Sequence, residues 1–182
     1  MKWKTLSSEY ISQHIYFTAR RDRCQREDGT LIDPYFVVEL PASATALAFT
    51  EEGKIVLVKE YRHPLNEVIL ETPGGFIDEG EDFAEGMKRE LLEETGYAFT
   101  NIEPLGKVAA NPGLLNNYTG LFLATGGKKI REQQLDHNEE IEIVLVTVEE
   151  LVELLLKQEI VQSLHVNCIF YALLKMGKLK FQ

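Results

Sequence analysis

The sequence is poor in cysteine and has no long apolar run. Its 182 residues include two cysteines, Cys24 and Cys168, and neither belongs to a CxxC pair. We expect buried, inert thiols in a reducing compartment, with a structural disulfide as the alternative. The chain has no stretch of about 18 apolar residues and no N-terminal charged-then-apolar signal segment. We therefore expect a soluble, cytoplasmic protein with no membrane partner.

Positive charge is also scarce. The chain has 19 Lys and Arg residues against 29 Asp and Glu residues, a formal net charge of −10. This balance argues against nucleic acid as the main ligand, because like charges repel. A small anion that binds together with a divalent metal stays compatible, since the metal reverses the local field. With 45% hydrophobic residues, the chain can bury the core of one domain, or of one domain with an appendage.

Carboxylates are concentrated in one segment of the chain. Residues 75–97 read GFIDEGEDFAEGMKRELLEETGY. Most residues from Phe83 to Thr95 favour a helix, and Glu81 and Asp82 stand at its positive end. Gly96 is placed to end the helix in a left-handed turn. The segment therefore predicts a helix over residues 83–95.

Three glutamates of this helix share one face. Glu90, Glu93 and Glu94 stand at positions i, i+3 and i+4. Such carboxylates repel one another in water unless a cation lies among them, and an all-oxygen cluster suits Mg²⁺ or Mn²⁺. The pattern indicates a metal site, with Mg²⁺ as the expected cofactor. An apolar stripe on another side can anchor the helix to the core and consists of Ala84, Met87 and Leu91.

Arg89 adjoins this acidic face. It lies four residues before Glu93, an order less favourable for a simple helix pair than the reverse, so we expect it to hold a carboxylate in place. The alternative is a solvated helix without function, because Glu-Glu runs are common on surfaces. The full gapped pattern favours the functional interpretation, since a Pro73-Gly74-Gly75 loop leads into it and Gly96 ends it.

This pattern resembles the signature of the Nudix hydrolase family, which is matched at every specified position, including the apolar Leu91 and Tyr97. The resemblance covers about residues 45–175. It implies an α/β fold, an α/β/α sandwich with a mixed sheet, and metal-dependent hydrolysis of a diphosphate. Gly75 begins the signature loop, and we expect it to need an unusual φ angle. The metal ligands that the resemblance implies are the Gly74 carbonyl and the carboxylates of Glu90, Glu93 and Glu94.

Hydrophobic periodicity agrees with this fold class. It predicts strands at residues 36–40, 45–49, 55–61, 68–71, 105–109, 118–124 and 141–147, and helices at residues 149–158 and 160–176. The last helix carries an apolar stripe that predicts core packing rather than a cofactor site: Val161, Leu164, Cys168, Ile169, Ala172 and Leu173.

Residues 1–44 precede the region of the resemblance. They contain alternating segments at residues 11–17 and 31–38 around a turn signal at residues 27–30. A small antiparallel sheet of two or three strands has no core of its own, so we expect it to pack on a second subunit. We predict that residues 1–44 form a dimerisation segment, that residues 45–182 form the hydrolase domain, and that the protein is a homodimer.

Residues outside the signature bear on the substrate. Pro112 lies fifteen residues after Tyr97 and is followed by Gly113. This position, together with KEYRHP at residues 59–64 and LETPGG at residues 70–75, resembles the ADP-ribose pyrophosphatase subfamily. The resemblance implies hydrolysis of ADP-ribose to AMP and ribose 5-phosphate, with Pro112 and Gly113 among the substrate-binding residues.

Two charged residues in those stretches are further candidates for substrate binding. Arg62 follows a predicted strand and is expected to bind a phosphate bidentately, with a surface ion pair as the alternative. Glu71 is expected to hold either a ribose or the guanidinium of Arg62.

One loop departs from that subfamily. There the loop after the Pro-Gly carries a glutamate that positions or deprotonates the attacking water, whereas residues 114–118 here offer the amides Asn116 and Asn117. A neutral amide cannot take a proton at pH 7. The departure keeps GDP-mannose or another nucleoside diphosphate sugar as the alternative substrate. The candidates for the base are then Glu93, Glu139 and Glu140, which join Arg89 and Glu94 as the predicted catalytic residues.

Two functions of other classes stay open. A ligand-sensing module without turnover would not need every carboxylate of the signature, yet all are present. A protein-interaction role through the N-terminal segment would predict an exposed apolar patch and no dependence on metal. Hydrolysis of nucleoside diphosphate compounds, measured with and without Mg²⁺, separates these functions from an enzyme.

Overall fold

The computed structural model describes residues 1–14, 17–137 and 139–179. The chain forms two compact units. One comprises Met1–Pro41 and Ala109–Tyr118, and the other comprises Ala42–Val108 and Thr119–Gln182. The second unit contains the acidic helix.

The N-terminal unit is built on a three-stranded antiparallel sheet of β1 (Lys4–His14), β2 (Phe17–Gln25) and β3 (Leu31–Glu39). The turn expected at residues 27–30 joins β2 to β3, and the Thr30 N–H donates to Asp28 Oδ1 at 3.0 Å. The prediction of a segment at residues 11–17 was wrong in its bounds, because residues 11–14 end β1 and residue 17 begins β2, whereas the segment at residues 31–38 matches β3. Residues 15 and 16 of the predicted segment 11–17 lie outside the described residues.

The second unit is built on a mixed sheet. Among the described residues its strands follow the order β11-β5-β4-β10-β8, while β6 pairs with β5, β7 with β4, and β9 with β10. The β4 and β10 strands run parallel, and the other pairs run antiparallel. The strands are β4 (Ser43–Thr50), β5 (Ile55–Arg62), β6 (Glu67–Glu71), β7 (Gly74–Phe76), β8 (Tyr97–Ala98), β9 (Asn101–Val108), β10 (Thr119–Lys129) and β11 (Ile141–Val146).

Helices cover both faces of this sheet, which confirms the expected sandwich. The three helices of the described residues are α1 (Phe83–Thr95), α2 (Val148–Leu156) and α3 (Ser163–Lys175). The central strand β4 shows why two layers are needed, because its side chains alternate between the faces. Ala44, Ala46 and Ala48 belong to the core under α1. Leu47 and Phe49 belong to the core under α2 and α3.

The small side chains on the α1 side of β4 let that helix lie close to the sheet. Met87 and Leu91 of α1 are fully buried in this layer. On the opposite face, the buried residues of α3 include four of the predicted stripe, namely Cys168, Ile169, Ala172 and Leu173. None of the helices in the described ranges has the length and apolar content needed to cross a bilayer. Cys24 and Cys168 are both buried free thiols, as expected.

Several elements differ from the periodicity prediction, including β8, which was not predicted, and β9, which begins at Asn101. Three others differ for identifiable reasons. The β7 strand contains Gly74-Gly75, which disfavours a strand in isolation, and it forms by pairing with β4. The β10 strand runs past residue 124 through a Gly-Gly pair, where its register with β4 shifts. The α3 helix begins at Ser163 rather than residue 160, because the Gln162 side chain accepts the Leu164 N–H at 3.0 Å and caps it.

Candidate active site

The acidic helix α1 has the bounds that the sequence predicts. Its first turn is capped by Asp82, whose Oδ1 accepts the Ala84 N–H at 2.9 Å. Its last turn ends at Gly96, which adopts a left-handed φ of 73° and donates its N–H to Leu92 O. With both ends fixed and one side buried, the helix presents its glutamates from a rigid element.

Arg89 connects the acidic residues of the helix and the preceding loop. Its Nε and Nη2 donate to the two oxygens of Glu81 at 3.1 and 3.0 Å. Its Nη1 donates to Glu90 Oε1 at 2.8 Å and to Glu93 Oε2 at 3.0 Å. Its Nη2 also donates to the Phe76 carbonyl at 3.0 Å. One guanidinium therefore holds three carboxylates together and ties the helix to β7.

Glu94 faces the other end of the β7 backbone. Its side chain is buried, and its Oε2 accepts the Gly74 N–H at 2.8 Å. The contact places a carboxylate beside the residue whose carbonyl is a candidate ligand, Gly74. Two of the predicted ligands thus lie together because the helix packs against the β7 strand.

The two glycines of β7 have different structural requirements, and the prediction for Gly75 was wrong. The unusual φ, 154°, belongs to Gly74, where a Cβ would lie 2.2 Å from the Ala44 carbonyl oxygen. Gly75 is instead required for space, since a Cβ there would lie 2.6 Å from Glu90 Oε2. The close approach of β7 to β4 on one side and to Glu90 on the other explains both glycines.

Burial, with added repulsion between carboxylates, raises the pKa of Glu90 and of Glu94. Burial raises the pKa of Glu90 to about 7 against the lowering effect of Arg89, and the charges of Glu93 and Glu139 raise it further. Burial also raises the pKa of Glu94 well above its ordinary value, with added repulsion from Glu90, Glu139 and Glu60. Five carboxylates, those of Glu60, Glu90, Glu93, Glu94 and Glu139, therefore interact electrostatically in the second unit.

The donor set of this face fits a hard divalent cation, because every group in it is an oxygen and the carboxylates are crowded and partly desolvated. The hydrogen bonds of the described residues engage Glu90 Oε1 and Glu94 Oε2, and leave the second oxygen of each for a cation. Within those residues no group of three His, Cys, Asp or Glu side chains is arranged so that it could hold a metal ion. Arg89 Nη1 lies between Glu90 and Glu93, where a cation would compete with it.

A second polar group consists of Arg62 and Glu60 on β5 and Glu71 on β6. Arg62 Nε and Nη2 lie 2.9 and 2.8 Å from Glu71 Oε2, and Arg62 Nη1 donates to Glu60 Oε1 at 3.2 Å. Arg62 and Glu60 share a face because they stand two residues apart in a strand. Burial lowers the pKa of Arg62, whereas the charges of Glu71 and Glu60 raise it. The charge of Glu94 also raises it, and the net result is a raised pKa. Arg62 is thus within the field of the acidic face while its side chain stays 40% exposed.

The two candidate bases after β10 differ in their surroundings. Glu139 is partly buried, its Oε2 accepts the Asp136 N–H at 2.9 Å, and its charge raises the pKa of Glu60, Glu90 and Glu94. Glu140 is exposed. The structure therefore brings Glu139 toward the acidic face.

The loop with the remaining predicted residues belongs to the N-terminal unit. Gly113, next to Pro112, accepts a hydrogen bond from Tyr35 Oη at 3.0 Å. Asn116 Oδ1 accepts the Leu40 N–H at 3.0 Å, and Asn117 Nδ2 donates to Pro41 O at 2.9 Å. The two amides tie this loop to the end of β3 and the residues after it. The substrate role of Pro112 and Gly113 stays a prediction.

Sequence reasoning missed two residues of this region, Glu60 and His165. The sequence contained a signal for Glu60, because it stands two residues before Arg62 near the end of a predicted strand and so shares a face with it. Glu60 is buried, and a buried charge needs a partner. The sequence contained no signal for His165, since it lies on α3 and reaches Thr72 only through the fold: the Thr72 N–H donates to its Nδ1 at 3.1 Å.

Comparison with known proteins gives consistent results. A family profile described as the NUDIX domain matches residues 39–165, and one described as the nucleoside diphosphate sugar hydrolase N-terminal domain matches residues 3–38. The chain is 34% identical over 140 residues to "ADP-ribose pyrophosphatase" of Bacillus subtilis (strain 168), covering 76% of each protein. It is 34% identical over 173 residues to "Methanol dehydrogenase activator" of Bacillus methanolicus, covering 92% of this chain and 91% of that protein.

A solved structure has the same fold. The structure titled "Crystal structure of ADP compounds hydrolase" superposes with a TM-score of 0.85 at 20% sequence identity, covering 98% of each chain. At this identity the likeness concerns the fold alone.

The raised pKa of Glu90 predicts how metal-free stability varies with pH. Its folded pKa of about 7 lies above the ordinary 4.5, so the folded state binds this proton more tightly than the unfolded state. The stability that this gives is present below about pH 4.5 and is lost as the pH rises through about 7. As the pH rises from 4.5 to 8, we expect the free energy of unfolding of wild type to fall by up to ~3 kcal/mol relative to that of Glu90→Gln.

Denaturant unfolding in the presence of a chelator measures this difference. Glu85→Gln, an exposed position on the same helix, is the matched control. A stability difference for Glu90→Gln that does not change with pH would contradict the raised pKa.

Proposed function

The chain belongs to the Nudix hydrolase family, and we propose that it hydrolyses the diphosphate bond of a nucleoside diphosphate linked to another group. The best candidate substrate is ADP-ribose. Water adds to one phosphorus, the bond from that phosphorus to the bridging oxygen breaks, and the products are AMP and ribose 5-phosphate. The name of the Bacillus subtilis relative supports this substrate.

The observation that carries the proposal is the crowded acidic face of α1. Glu90 and Glu94 hold pKa values raised by burial, and Arg89 holds Glu90 and Glu93 in place from one side. A solvated surface helix would not bury glutamates without a compensating charge. A divalent cation would add to the positive charge that Arg89 supplies.

Mg²⁺ is the cation that we propose, with Mn²⁺ as a substitute. Glu90, Glu93, Glu94 and the Gly74 carbonyl would hold it, since hard oxygen ligands suit these ions. When bound, the metal neutralises charge on the diphosphate oxygens and stabilises the leaving phosphate.

The protein's own side chains have two further tasks in the proposed reaction. Arg62 keeps part of its side chain exposed and binds the substrate diphosphate, while Glu71 orients it through one hydrogen bond to Nε and an ion pair with Nη2. Glu139 is the best candidate for the base, because its carboxylate interacts electrostatically with Glu90 and Glu94 and is oriented by the Asp136 N–H.

A nucleoside diphosphate sugar such as GDP-mannose is the second candidate substrate. The match of residues 3–38 to an N-terminal domain of nucleoside diphosphate sugar hydrolases favours it, as does the loop of Asn116 and Asn117 in place of a glutamate. Hydrolysis of a panel of such compounds, with and without Mg²⁺, decides between them. No turnover of any compound, combined with tight binding of one, would favour a ligand-sensing module instead.

The free, buried thiols Cys24 and Cys168 fit a reducing compartment, and we place the protein in the cytoplasm. We also propose a homodimer formed through the N-terminal sheet. Large apolar side chains of all three strands are exposed there: Leu6, Tyr10, Ile11, Phe17, Leu31 and Phe36. Such a surface is typical of an interface.

Glu94→Gln should abolish most metal-dependent hydrolysis and leave the fold intact. The change removes a ligand charge at nearly constant size, so the expected loss in kcat is about hundredfold or more, ~3 kcal/mol of transition-state stabilisation. Initial rates at saturating Mg²⁺ measure it, with Glu85→Gln as the control. Equal kcat in wild type and Glu94→Gln would disprove the ligand assignment.

The catalytic base can be identified from pH-rate profiles of single Gln variants. We expect Glu139→Gln to lower kcat and to remove the acidic limb of the profile, since the proton acceptor is lost. Glu140→Gln is the matched neighbour, and Glu93→Gln tests the helix alternative. If none of the three matters while Asn117→Glu raises activity on ADP-ribose by orders of magnitude, the native loop lacks a base and ADP-ribose is not the natural substrate.

Removal of the N-terminal segment should abolish dimerisation. We expect a chain that begins at Ser43 to be monomeric and to bind substrate more weakly, which light scattering and KM measure. Because this truncation also removes the β3 contacts of the loop at residues 109–118, Phe36→Ser tests the exposed apolar surface alone. A fully active monomer from the shortened chain would contradict the dimer proposal.

A further inference from the structure

A buried histidine outside the signature contacts the polar group around Arg62. His165 lies in the first turn of α3 with its side chain 7% exposed. Its Nδ1 accepts the Thr72 backbone N–H at 3.1 Å and lies 2.6 Å from Thr72 Oγ1. A backbone N–H can only donate, so this bond requires an unprotonated Nδ1. The proton of the neutral ring is therefore on Nε2.

The Nε2–H group faces a carboxylate oxygen that needs a donor. Glu71 is 1% exposed, and its Oε1 accepts no hydrogen bond within the described part of the chain. His165 Nε2 lies 3.4 Å from this oxygen. A buried carboxylate oxygen without a donor is costly, so a small approach of the two groups that shortens this contact is favourable.

The other oxygen of Glu71 orients Arg62. Glu71 Oε2 lies 2.9 Å from Arg62 Nε and 2.8 Å from its Nη2. Rotation of the carboxylate would break both contacts at once, and the contact at Oε1 opposes that rotation. Burial and the charge of Arg62 lower the pKa of His165 to about 4, which keeps the ring neutral, and the Thr72 N–H bond to Nδ1 then fixes its tautomer.

We propose that His165 is a positioning residue for substrate binding: it fixes the Glu71 carboxylate through Nε2–H, and Glu71 in turn fixes the Arg62 guanidinium that contacts the substrate diphosphate. This inference rests on the proposed function for the role of Arg62. The alternative is that His165 is a core residue that only forms hydrogen bonds with Thr72 and Thr45. The Oγ1 atom of Thr45 lies 3.3 Å from its Nδ1.

Two substitutions of His165 separate these roles, because each amide replaces one ring nitrogen. In His165→Asn the amide stands near the position of Nδ1 and the donor to Glu71 is lost. In His165→Gln the amide N–H reaches the position of Nε2. We expect His165→Asn to raise KM for the hydrolysed compound roughly five- to tenfold, the scale of one buried hydrogen bond, with kcat changed less than about twofold. His165→Gln should restore most of the KM.

A double-mutant cycle with Arg62→Ala tests the route of the effect. If His165 acts through Arg62, His165→Asn should raise KM no further once Arg62 is absent. The same fold increase in KM in both backgrounds, an unchanged KM in the single variant, or no recovery in His165→Gln would overturn the proposal. Thermal unfolding of each variant shows whether it is folded.

Spectra of the full-length wild-type protein give an independent test without turnover. Long-range ¹⁵N correlations of the His165 ring should show the Nε2–H tautomer, and the Arg62 Nε–H signal should be sharp in wild type and broadened in His165→Asn. The Nδ1–H tautomer, or an Arg62 signal unaffected by His165→Asn, would overturn the proposal. If the wild type hydrolyses none of the compounds, the proposed function fails, and the spectra still decide whether His165 positions Arg62.

Discussion

The arrangement of the candidate site depends on one guanidinium placed among carboxylates. Arg89 contacts Glu81 in the loop, Glu90 and Glu93 on the helix, and the Phe76 carbonyl in β7. Without it, Glu81, Glu90 and Glu93 would lose the positive charge that contacts them. Arg89 also holds two of the predicted metal ligands, because its Nη1 lies between Glu90 and Glu93. In the structure, Arg89 compensates part of the negative charge of this face.

Close packing around β4 gives that arrangement its precision. The alanines of β4 bring α1 near the sheet, and the glycines of β7 let its backbone lie against β4 and against Glu90. The Glu94 carboxylate then meets the Gly74 N–H at 2.8 Å. Small side chains in the core are therefore as important for the site as the charged ones, because each added methyl group would separate the helix from the strand.

The parts of the structure that could be predicted are local in sequence. Helix α1, its Asp82 cap, its Gly96 end and the shared face of its glutamates follow from spacing within a few residues. The group of Arg62, Glu60 and Glu71 needs the register of two strands, and His165 reaches Thr72 across 93 residues. Pattern analysis of one sequence does not contain such register and packing information. The error at Gly75 has the same origin, since the neighbour that explains this glycine is a side chain on another element.

The loop at residues 109–118 has a consequence for how this protein can be recombined with its relatives. Although the loop lies between β9 and β10 in the chain, its hydrogen bonds join it to β3 and the residues that follow: the Val38 N–H donates to Leu114 O at 2.9 Å, and Asn117 donates to Pro41 O. A chimera cut at residue 41 would therefore pair a foreign strand with a native loop. An exchange of the N-terminal unit therefore has to include two separate stretches of sequence, Met1–Pro41 and Ala109–Tyr118. The segment that relatives could exchange as a whole is discontinuous in the chain.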